Sequence, residues 1–452
     1  MPHWSSDAVF YHIYPLGLTG APPRNDFSRL PEPRLEQLHG WIPHLKQLGV
    51  NALYLGPLFE STAHGYDTAD YYHVDRRLGS DETLARLGAV LHENGIRLVL
   101  DGVFNHVGRE FWAFRDILQR GAASPYCDWF QNLRFQGHSP WGDPFTYEGW
   151  AGNYDLIKLN LSNPDVRNHL LGAVAFWMDT FAIDGLRLDA ADVIDPAFLK
   201  TLASFCKARH PEFWLLGEIV QGDYRNLANP EMLDSVTNYE CFKGMYSSLA
   251  NTNYFEIAYS LNRQFGEGGL YRGLPLYNFV DNHDVNRAAS NLKKPAHLYP
   301  LYLLLFTMPG VPSIYYGSEW GLEGTRTPYH DAALRPKLNL NTLPHEAPHP
   351  ELVENIARLA KLRQEQSALR YGDYRQLFVA HEQLAFARSD AQTHLAVLLN
   401  ASEHPARVEI SLPAQFRSAE DVLNWGERFY IQGGRLRIEQ VPPHWGRVLK
   451  LA

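Results

Sequence analysis

The sequence predicts an α/β protein: a (β/α)8 TIM barrel with an inserted lobe after strand three and a C-terminal antiparallel β-domain. Three observations support this prediction. Eight short runs of apolar and β-branched residues alternate with helical patterns up to about residue 370, as in a closed parallel sheet. Residues 107–159 interrupt that alternation. From residue 371 onward, short alternating strands replace it.

The predicted barrel strands are short runs, most of which end in polar residues or glycine. They cover residues 8–14, 50–57, 96–101, 183–189, 213–218, 235–240, 276–281 and 311–317. Helical spacing of apolar residues predicts helices over residues 35–48, 81–94, 168–180, 198–208, 298–307 and 351–366. An open doubly wound sheet is the alternative architecture. The first strand is not followed by a glycine-rich phosphate loop, which disfavours that alternative.

The interruptions in this pattern divide the chain into three parts. Residues 1–106 and 160–370 are expected to form the catalytic barrel. Residues 107–159 are rich in Trp, Phe, Gly and Pro, and they predict an inserted small domain (domain B) because long structureless loops are rare in compact domains. Residues 371–452 are expected to form a C-terminal β-sandwich domain.

Composition narrows the range of partners and compartments. The 452-residue chain has a formal net charge of −9, which argues against a nucleic-acid partner. Its three cysteines are too few for a disulfide framework and suit a reducing compartment. The N-terminus lacks the basic and apolar segments of a signal peptide, and no apolar run is long enough to cross a membrane. We therefore expect a cytoplasmic protein that does not interact with membranes.

Polar side chains gather where the predicted strands end, which is where parallel barrels carry their chemistry. The candidate site residues are Tyr66, Asp67, Asp101, His106, Arg187, Asp189, Glu218, His283 and Asp284. Any one of them has an ordinary structural explanation, such as capping a helix or satisfying a hydrogen bond in the core. Their recurrence at several strand ends predicts a site.

A pair of carboxylates on adjacent strands suits acid-assisted cleavage of a glycosidic bond. Adjacent strands lie about 4.8 Å apart, close to the carboxylate separation of about 5–5.5 Å that retaining glycosidases need. Asp189 and Glu218 fit this spacing. We expect Arg187 to keep Asp189 ionised, and crowding by Asp189 and Asp284 to keep a proton on Glu218. A metal-dependent hydrolase is the competing interpretation. The first strand contains only His12 rather than a close histidine pair, so no metal is predicted.

Four motifs, taken together and in order, resemble those of the α-amylase family of retaining α-glycosidases, glycoside hydrolase family 13. They are Asp-Gly-Val-Phe-Asn-His at 101–106, Gly-Leu-Arg-Leu-Asp at 185–189, Gly-Glu at 217–218 and Phe-Val-Asp-Asn-His-Asp at 279–284. The resemblance implies that Asp189 is the nucleophile, Glu218 the general acid/base and Asp284 the third carboxylate. It also implies that the remaining candidate residues bind or position the sugar, with Tyr66 as a stacking platform.

Residues 58–61, 64–72 and 314–317 are most similar to the cyclomaltodextrinase, neopullulanase and maltogenic amylase group. The implied function is hydrolysis of α-1,4-linked gluco-oligosaccharides, with α-1,6 linkages or cyclic maltodextrins as further substrates. A transglycosylase or sugar isomerase is the alternative, and an inactive sugar-binding scaffold is a third. Because the first strand begins near residue 8, the chain is expected to lack the group's N-terminal β-domain. Whether it is a monomer or a homodimer stays open.

One departure from the resemblance follows the expected nucleophile. Residues 190–193 read Ala-Ala-Asp-Val, where many α-amylases have Lys-His. In those enzymes the histidine helps to form a calcium site, so its absence disfavours calcium binding through Asn105. No cofactor is therefore predicted, although calcium is the one to test.

Overall fold

A computed structural model describes residues 3–328, 330–424 and 426–452, and it confirms the predicted barrel. The parallel strands pair in the order six, five, four, three, two, one, eight, seven. In chain order they are Phe10–Ile13, Ala52–Leu55, Arg97–Gly102, Gly185–Leu188, Trp214–Gly217, Ser235–Val236, Tyr277–Phe279 and Val311–Tyr315. A bridge between Thr237 and Tyr277 brings strands six and seven together and closes the ring.

The barrel strands bury both faces, which explains their nearly continuous apolar sequences. Alternate residues point inward, so Phe10, Trp214 and Tyr277 fill the barrel with packed aromatic rings. The Phe10 and Trp214 rings stack with centroids 4.9 Å apart. The same alternation directs Arg187 and Asp189 inward at the C-terminal end of strand four, above this core.

Helices surround the barrel. The α-helices are Pro15–Leu18, Ile42–Gln47, Asp81–Glu93, Trp112–Arg120, Pro164–Phe181, Pro196–Arg209, Tyr239–Ala250, Phe255–Phe265, Ala288–Asn291, Leu298–Thr307, Leu343–Glu346, Leu352–Glu365 and Ser367–Tyr371. The predicted helix over residues 35–48 is instead a 3-10 segment, Arg34–Trp41, followed by a short α-helix. Pro43, which lacks an N–H, lies in the first turn of that short helix. Within the described residues, no helix is long and apolar enough to cross a membrane.

Strand six is shorter than the predicted 235–240. The side chain of Asn238 accepts a hydrogen bond from the Cys241 amide and starts the helix Tyr239–Ala250. That helix and Phe255–Phe265 fill the interval before strand seven, where the sequence patterns predicted no helix.

Two small sheets rise above the C-terminal end of the barrel. Phe59–Ser61 and Thr68–Val74 form a hairpin in the segment after strand two, where the sequence patterns predicted no strand. After strand three, His106–Gly108, Asn153–Lys158 and Gly149–Trp150 form a three-stranded antiparallel sheet. Both sheets bring side chains to the rim of the barrel.

The C-terminal part is an antiparallel β-domain, as predicted. Its strands are Asp373–Val379, Gln383–Ser389, His394–Asn400, Ala406–Ser411, Ser418–Asp421, Arg428–Tyr430, Arg435–Val441 and Trp445–Leu451. Six of them form one sheet, and Ala406–Ser411 pairs with Arg435–Val441 in a second. Leu398 and Leu449 of the first sheet share an apolar core with Ile410 and Leu436 of the second.

Candidate active site

A cavity of about 880 Å³ opens at the C-terminal ends of the barrel strands. Of the predicted site residues, five line this cavity: Tyr66, His106, Asp189, Glu218 and Asp284. The other four do not line the cavity and are 2 to 6% exposed: Asp67, Asp101, Arg187 and His283. His106 lines the cavity although only 1% of its surface is exposed. The structure therefore brings the three predicted carboxylates to one opening. It also separates side chains that can touch a ligand from side chains that hold them in place.

Arg187 is the centre of the charged network. Its Nη1 donates to both carboxylate oxygens of Asp101 at 2.9 Å and to Asp189 Oδ1 at 3.1 Å. Its Nη2 lies 2.7 Å from Glu218 Oε2. The guanidinium is 4% exposed, so one buried cation orients three carboxylates with a planar set of donors.

Neighbouring strands place Asp189 beside Glu218. Leu188 pairs with Gly217 in the parallel ladder, so each carboxylate residue comes directly after a paired position. The next residue, Ala190, has a left-handed backbone with φ of 46°, a conformation that costs a non-glycine residue about 1 kcal/mol. In this conformation the Ala190 amide donates to Glu218 Oε2 at 3.1 Å. The turn after strand four thus helps to fix the carboxylate of strand five.

Electrostatics in this cluster differ from the sequence-based expectation. Burial raises the pKa of Asp189 well above its usual value; Arg187 opposes this increase and the nearby Glu218 carboxylate adds to it. The prediction that Arg187 keeps Asp189 ionised is therefore wrong as stated, because the same guanidinium also binds Asp101 and Glu218. One cation faces three carboxylates here, so its charge does not offset the burial of Asp189.

Asp284 lies in a more positive environment. His283 Nε2 is 3.0 Å from Asp284 Oδ2, and Arg335 Nη2 donates to Asp284 Oδ1 at 2.9 Å. Burial alone would raise the pKa of Asp284, but His283 and Arg335 lower it well below its usual value. Arg335 also donates to the His283 carbonyl at 3.1 Å, which holds this segment of chain in position.

Stacked rings form one wall of the site. The Tyr66 and His283 rings are nearly parallel, 10° apart in plane, with centroids separated by 5.5 Å. The Tyr66 hydroxyl contacts His283 Nε2 and donates to Asp101 Oδ2 at 3.1 Å. Tyr54 donates to the same Asp101 oxygen at 2.8 Å. Asp101 thereby links the aromatic wall to Arg187 from beneath the cavity.

His106 is neutral and has one free ring nitrogen. Burial lowers its pKa to about 3. Asn105 Nδ2 lies 3.2 Å from His106 Nδ1, and donation across this contact leaves the ring proton on Nε2. Nε2 has no hydrogen-bond partner among the described residues and faces Asp189 Oδ2 at 3.9 Å, so it can donate to a ligand hydroxyl. The described residues contain no group of three or more His, Cys, Asp or Glu side chains arranged to hold a metal ion.

Asp67 has a different position from the one its neighbours suggested. Its Oδ1 accepts hydrogen bonds from the backbone amides of His64 and Gly65, both at 3.1 Å. This carboxylate closes the turn that presents Tyr66 and does not line the cavity.

The structure adds site residues that the strand-end survey missed. Arg335 comes 20 residues after strand eight, on a segment without regular structure beside the 3-10 turn Ala332–Leu334. Tyr239 donates to Glu218 Oε1 at 3.4 Å, and Trp150 packs its ring 5.4 Å from His106. Only the density of aromatic residues in the inserted segment hinted at Trp150. For Arg335 no sequence signal stood out.

A barrel whose buried arginine binds two neighbouring acids, with a third acid and stacked rings at the same cavity, has the features of a carbohydrate-cleaving enzyme. Sequence comparison identifies the family to which the chain belongs. Residues 35–346 match the family described as alpha amylase, catalytic domain, and residues 374–447 match the neopullulanase-like C-terminal domain. The chain belongs to the α-amylase family, glycoside hydrolase family 13, and is an α-glycosidase.

Individual relatives cover nearly the whole chain. A cyclomaltodextrinase of Geobacillus thermopakistaniensis is 31% identical over 472 residues, spanning 98% of this chain and 76% of that protein. Neopullulanase 2 of Thermoactinomyces vulgaris is 30% identical over 472 residues, spanning 99% and 78%. Among solved structures, the cyclic α-maltosyl-(1→6)-maltose hydrolase of Arthrobacter globiformis aligns over 100% of both chains with a TM-score of 0.82 and 28% identity.

Proposed function

We propose that this enzyme hydrolyses α-1,4-linked gluco-oligosaccharides and cyclic maltodextrins with retention of anomeric configuration. The observation that carries this proposal is the shared binding of Asp189 and Glu218 by the two nitrogens of one guanidinium, at 3.1 and 2.7 Å. Two carboxylates on adjacent strands, bound to one guanidinium, lie close together, as a double-displacement mechanism requires.

In the first step, the Asp189 carboxylate attacks the anomeric carbon while Glu218 gives its proton to the departing glycosidic oxygen. The bond from the anomeric carbon to that oxygen breaks, and an ester between the sugar and Asp189 forms. The singly protonated acid pair is the active form, because it supplies one nucleophile and one proton. Arg187 lowers the cost of placing the negative charge on Asp189.

In the second step, the Glu218 carboxylate takes a proton from water as that water attacks the anomeric carbon. The ester to Asp189 breaks and Glu218 is protonated again. Two inversions leave the product with the configuration of the substrate. Asp284, ionised at neutral pH, is placed to accept hydrogen bonds from the sugar hydroxyls, and the Tyr66 ring supplies a face for the sugar to stack on.

The substrate class rests on the relatives. Their names specify cyclomaltodextrins, pullulan and a cyclic maltosyl-maltose, all α-linked glucose compounds. Two of these substrates contain α-1,6 as well as α-1,4 linkages, so pullulan belongs in the test. Transfer of the glycosyl group to a second sugar is the alternative outcome of the same intermediate.

The test is product chromatography after incubation with maltotriose, maltoheptaose, β-cyclodextrin, pullulan, sucrose and trehalose. We expect maltose and glucose from the α-1,4 substrates, first released as the α-anomer in proton NMR. Release of the β-anomer would contradict the mechanism, and exclusive action on sucrose or trehalose would contradict the substrate class. Longer products at high sugar concentration would instead favour transglycosylation.

A matched pair of variants connects the activity to the proposed acid. Glu218→Gln keeps the side chain's shape but cannot donate or accept the catalytic proton, and we expect it to lose at least a hundredfold in kcat on maltoheptaose. Glu231→Gln removes an exposed carboxylate that pairs with Lys200 outside the cavity, and serves as the control. Equal activity of the two variants would refute the assignment of Glu218.

A further inference from the structure

A second groove, of about 610 Å³, continues from the catalytic cavity across the adjoining helices. It shares Val220 and Tyr239 with that cavity. Tyr239 donates to Glu218, and Val220 follows Glu218 by two residues. The groove therefore begins on the side of the cavity where the proposed proton donor lies.

The groove is lined by one face of the helix Phe255–Phe265. Glu256, Tyr259, Ser260 and Arg263 all line it, and their spacing of three and four residues places them on a single face. Tyr259 is 69% exposed in the middle of this face. A large aromatic ring held on a rigid helix, open to solvent within a concave surface, is a platform on which an apolar ring face can stack.

Each charged side chain that lines the groove belongs to an ion pair, and that of Asp223 is with Arg225 at 2.6 Å. Lys243 lies 2.9 Å from Glu256, and Arg263 pairs with Glu240, so two ion pairs connect the neighbouring helices. This arrangement suits an uncharged ligand rich in hydroxyl groups better than an ionic one. The paired carboxylates and cations keep acceptors and donors available to hydroxyls on either side of the Tyr259 ring.

We propose that this groove binds the leaving-group portion of long maltodextrin chains, with Tyr259 stacking on a glucose unit several residues beyond the bond that is cleaved. The proposal rests on the proposed function, because it uses Glu218 as the acid that faces the leaving group. It also predicts that the enzyme binds long linear substrates more tightly than short ones, because only a long chain extends from the catalytic cavity into the groove.

The test compares maltoheptaose with maltotriose for three variants. Tyr259→Ala should raise KM for maltoheptaose roughly fivefold, the typical value of one ring contact, with kcat unchanged. The same variant should leave kcat/KM for maltotriose within twofold of the parent. Tyr259→Phe keeps the ring and should restore the parent KM. Tyr430→Ala, which removes an 81% exposed tyrosine in the C-terminal domain, is the matched control.

The outcomes separate the two proposals. If the parent enzyme cleaves neither substrate, the proposed function fails. If it cleaves both and Tyr259→Ala changes KM equally for the two lengths, or for neither, the groove proposal alone is overturned. Calorimetry of maltoheptaose binding to Glu218→Gln, with and without Tyr259→Ala, gives a second readout that does not depend on turnover. A fivefold weaker affinity in the double variant supports the groove, and equal affinity contradicts it.

Discussion

Replacing Arg187 with methionine removes the one cation that Asp101, Asp189 and Glu218 share, while keeping most of the side chain's volume. Its contact with Asp189 at 3.1 Å is a charge-assisted hydrogen bond, and such bonds contribute about 1.5–3 kcal/mol. At 1.36 kcal/mol per pH unit, this contribution corresponds to about one to two pH units on the acidic limb of the activity profile, which depends on the ionisation of Asp189.

The direction of the shift follows from the charges. Arg187 lowers the pKa of Asp189, so its loss raises that pKa further above the usual value. The active form has lost one of the pair's two protons. The acidic limb of the kcat/KM profile should therefore move to higher pH by about one to two units. Arg187→Lys, which keeps a charge but not the planar fork, should move it less.

The assay is kcat/KM on maltoheptaose from pH 4 to 9. Because the variant leaves buried carboxylates unpaired, we also expect a loss of about 3–5 kcal/mol in stability, followed by circular dichroism. Arg447→Met is the control, since Arg447 binds buried Asp421 at 2.8 Å in the C-terminal domain. Arg447→Met should reduce stability without shifting the acidic limb of the kcat/KM profile. A folded Arg187→Met enzyme with an unshifted limb would refute the shared-cation argument.

Three further predictions concern other parts of the molecule. Arg335→Met removes the donor 2.9 Å from Asp284 and should lower kcat/KM about ten- to a hundredfold, while Arg335→Lys recovers part of this; unchanged kinetics would remove Arg335 from the site. Arg388→Ala leaves the Thr307 and Gly372 carbonyls, which it now binds at 2.6 and 3.0 Å, without their donor, so calorimetry should show a Tm lower by several degrees with kcat retained. Treatment with EDTA followed by desalting should leave the rate within twofold; a loss restored by calcium would overturn the expectation that no metal is needed.

The barrel and its acid cluster were predictable because both depend on local patterns. Period-two and helical spacing identify strands and helices, and parallel topology then brings all strand ends to one face. Asp189 and Glu218 come directly after strands four and five, and Asp284 comes five residues after strand seven, so locating the strands led to all three acids. The predicted domain boundaries and catalytic roles stay predictions.

Contacts that depend on side-chain direction or on irregular chain were not predictable. Asp67 is next to Tyr66 in sequence, yet its carboxylate turns back to backbone amides. Arg335 lies on a segment without regular secondary structure, so the spacing of apolar residues gives no information about its position. Tyr239 lies within the interval predicted as strand six, but a side-chain cap at Asn238 starts a helix there. The binding of one arginine, Arg187, to three carboxylates likewise depends on side-chain geometry that the sequence does not specify.

The central claim is that Asp189 becomes covalently bound to the substrate. Incubation with 5-fluoro-α-D-glucosyl fluoride, followed by proteolysis and mass spectrometry, tests it most directly, because the fluorine at C5 slows breakdown of a glycosyl-enzyme. Our account predicts one modified peptide, with the label on Asp189, and no label in Asp189→Asn. A label on Glu218 or Asp284, or an enzyme that turns over substrate but is never labelled, would contradict it.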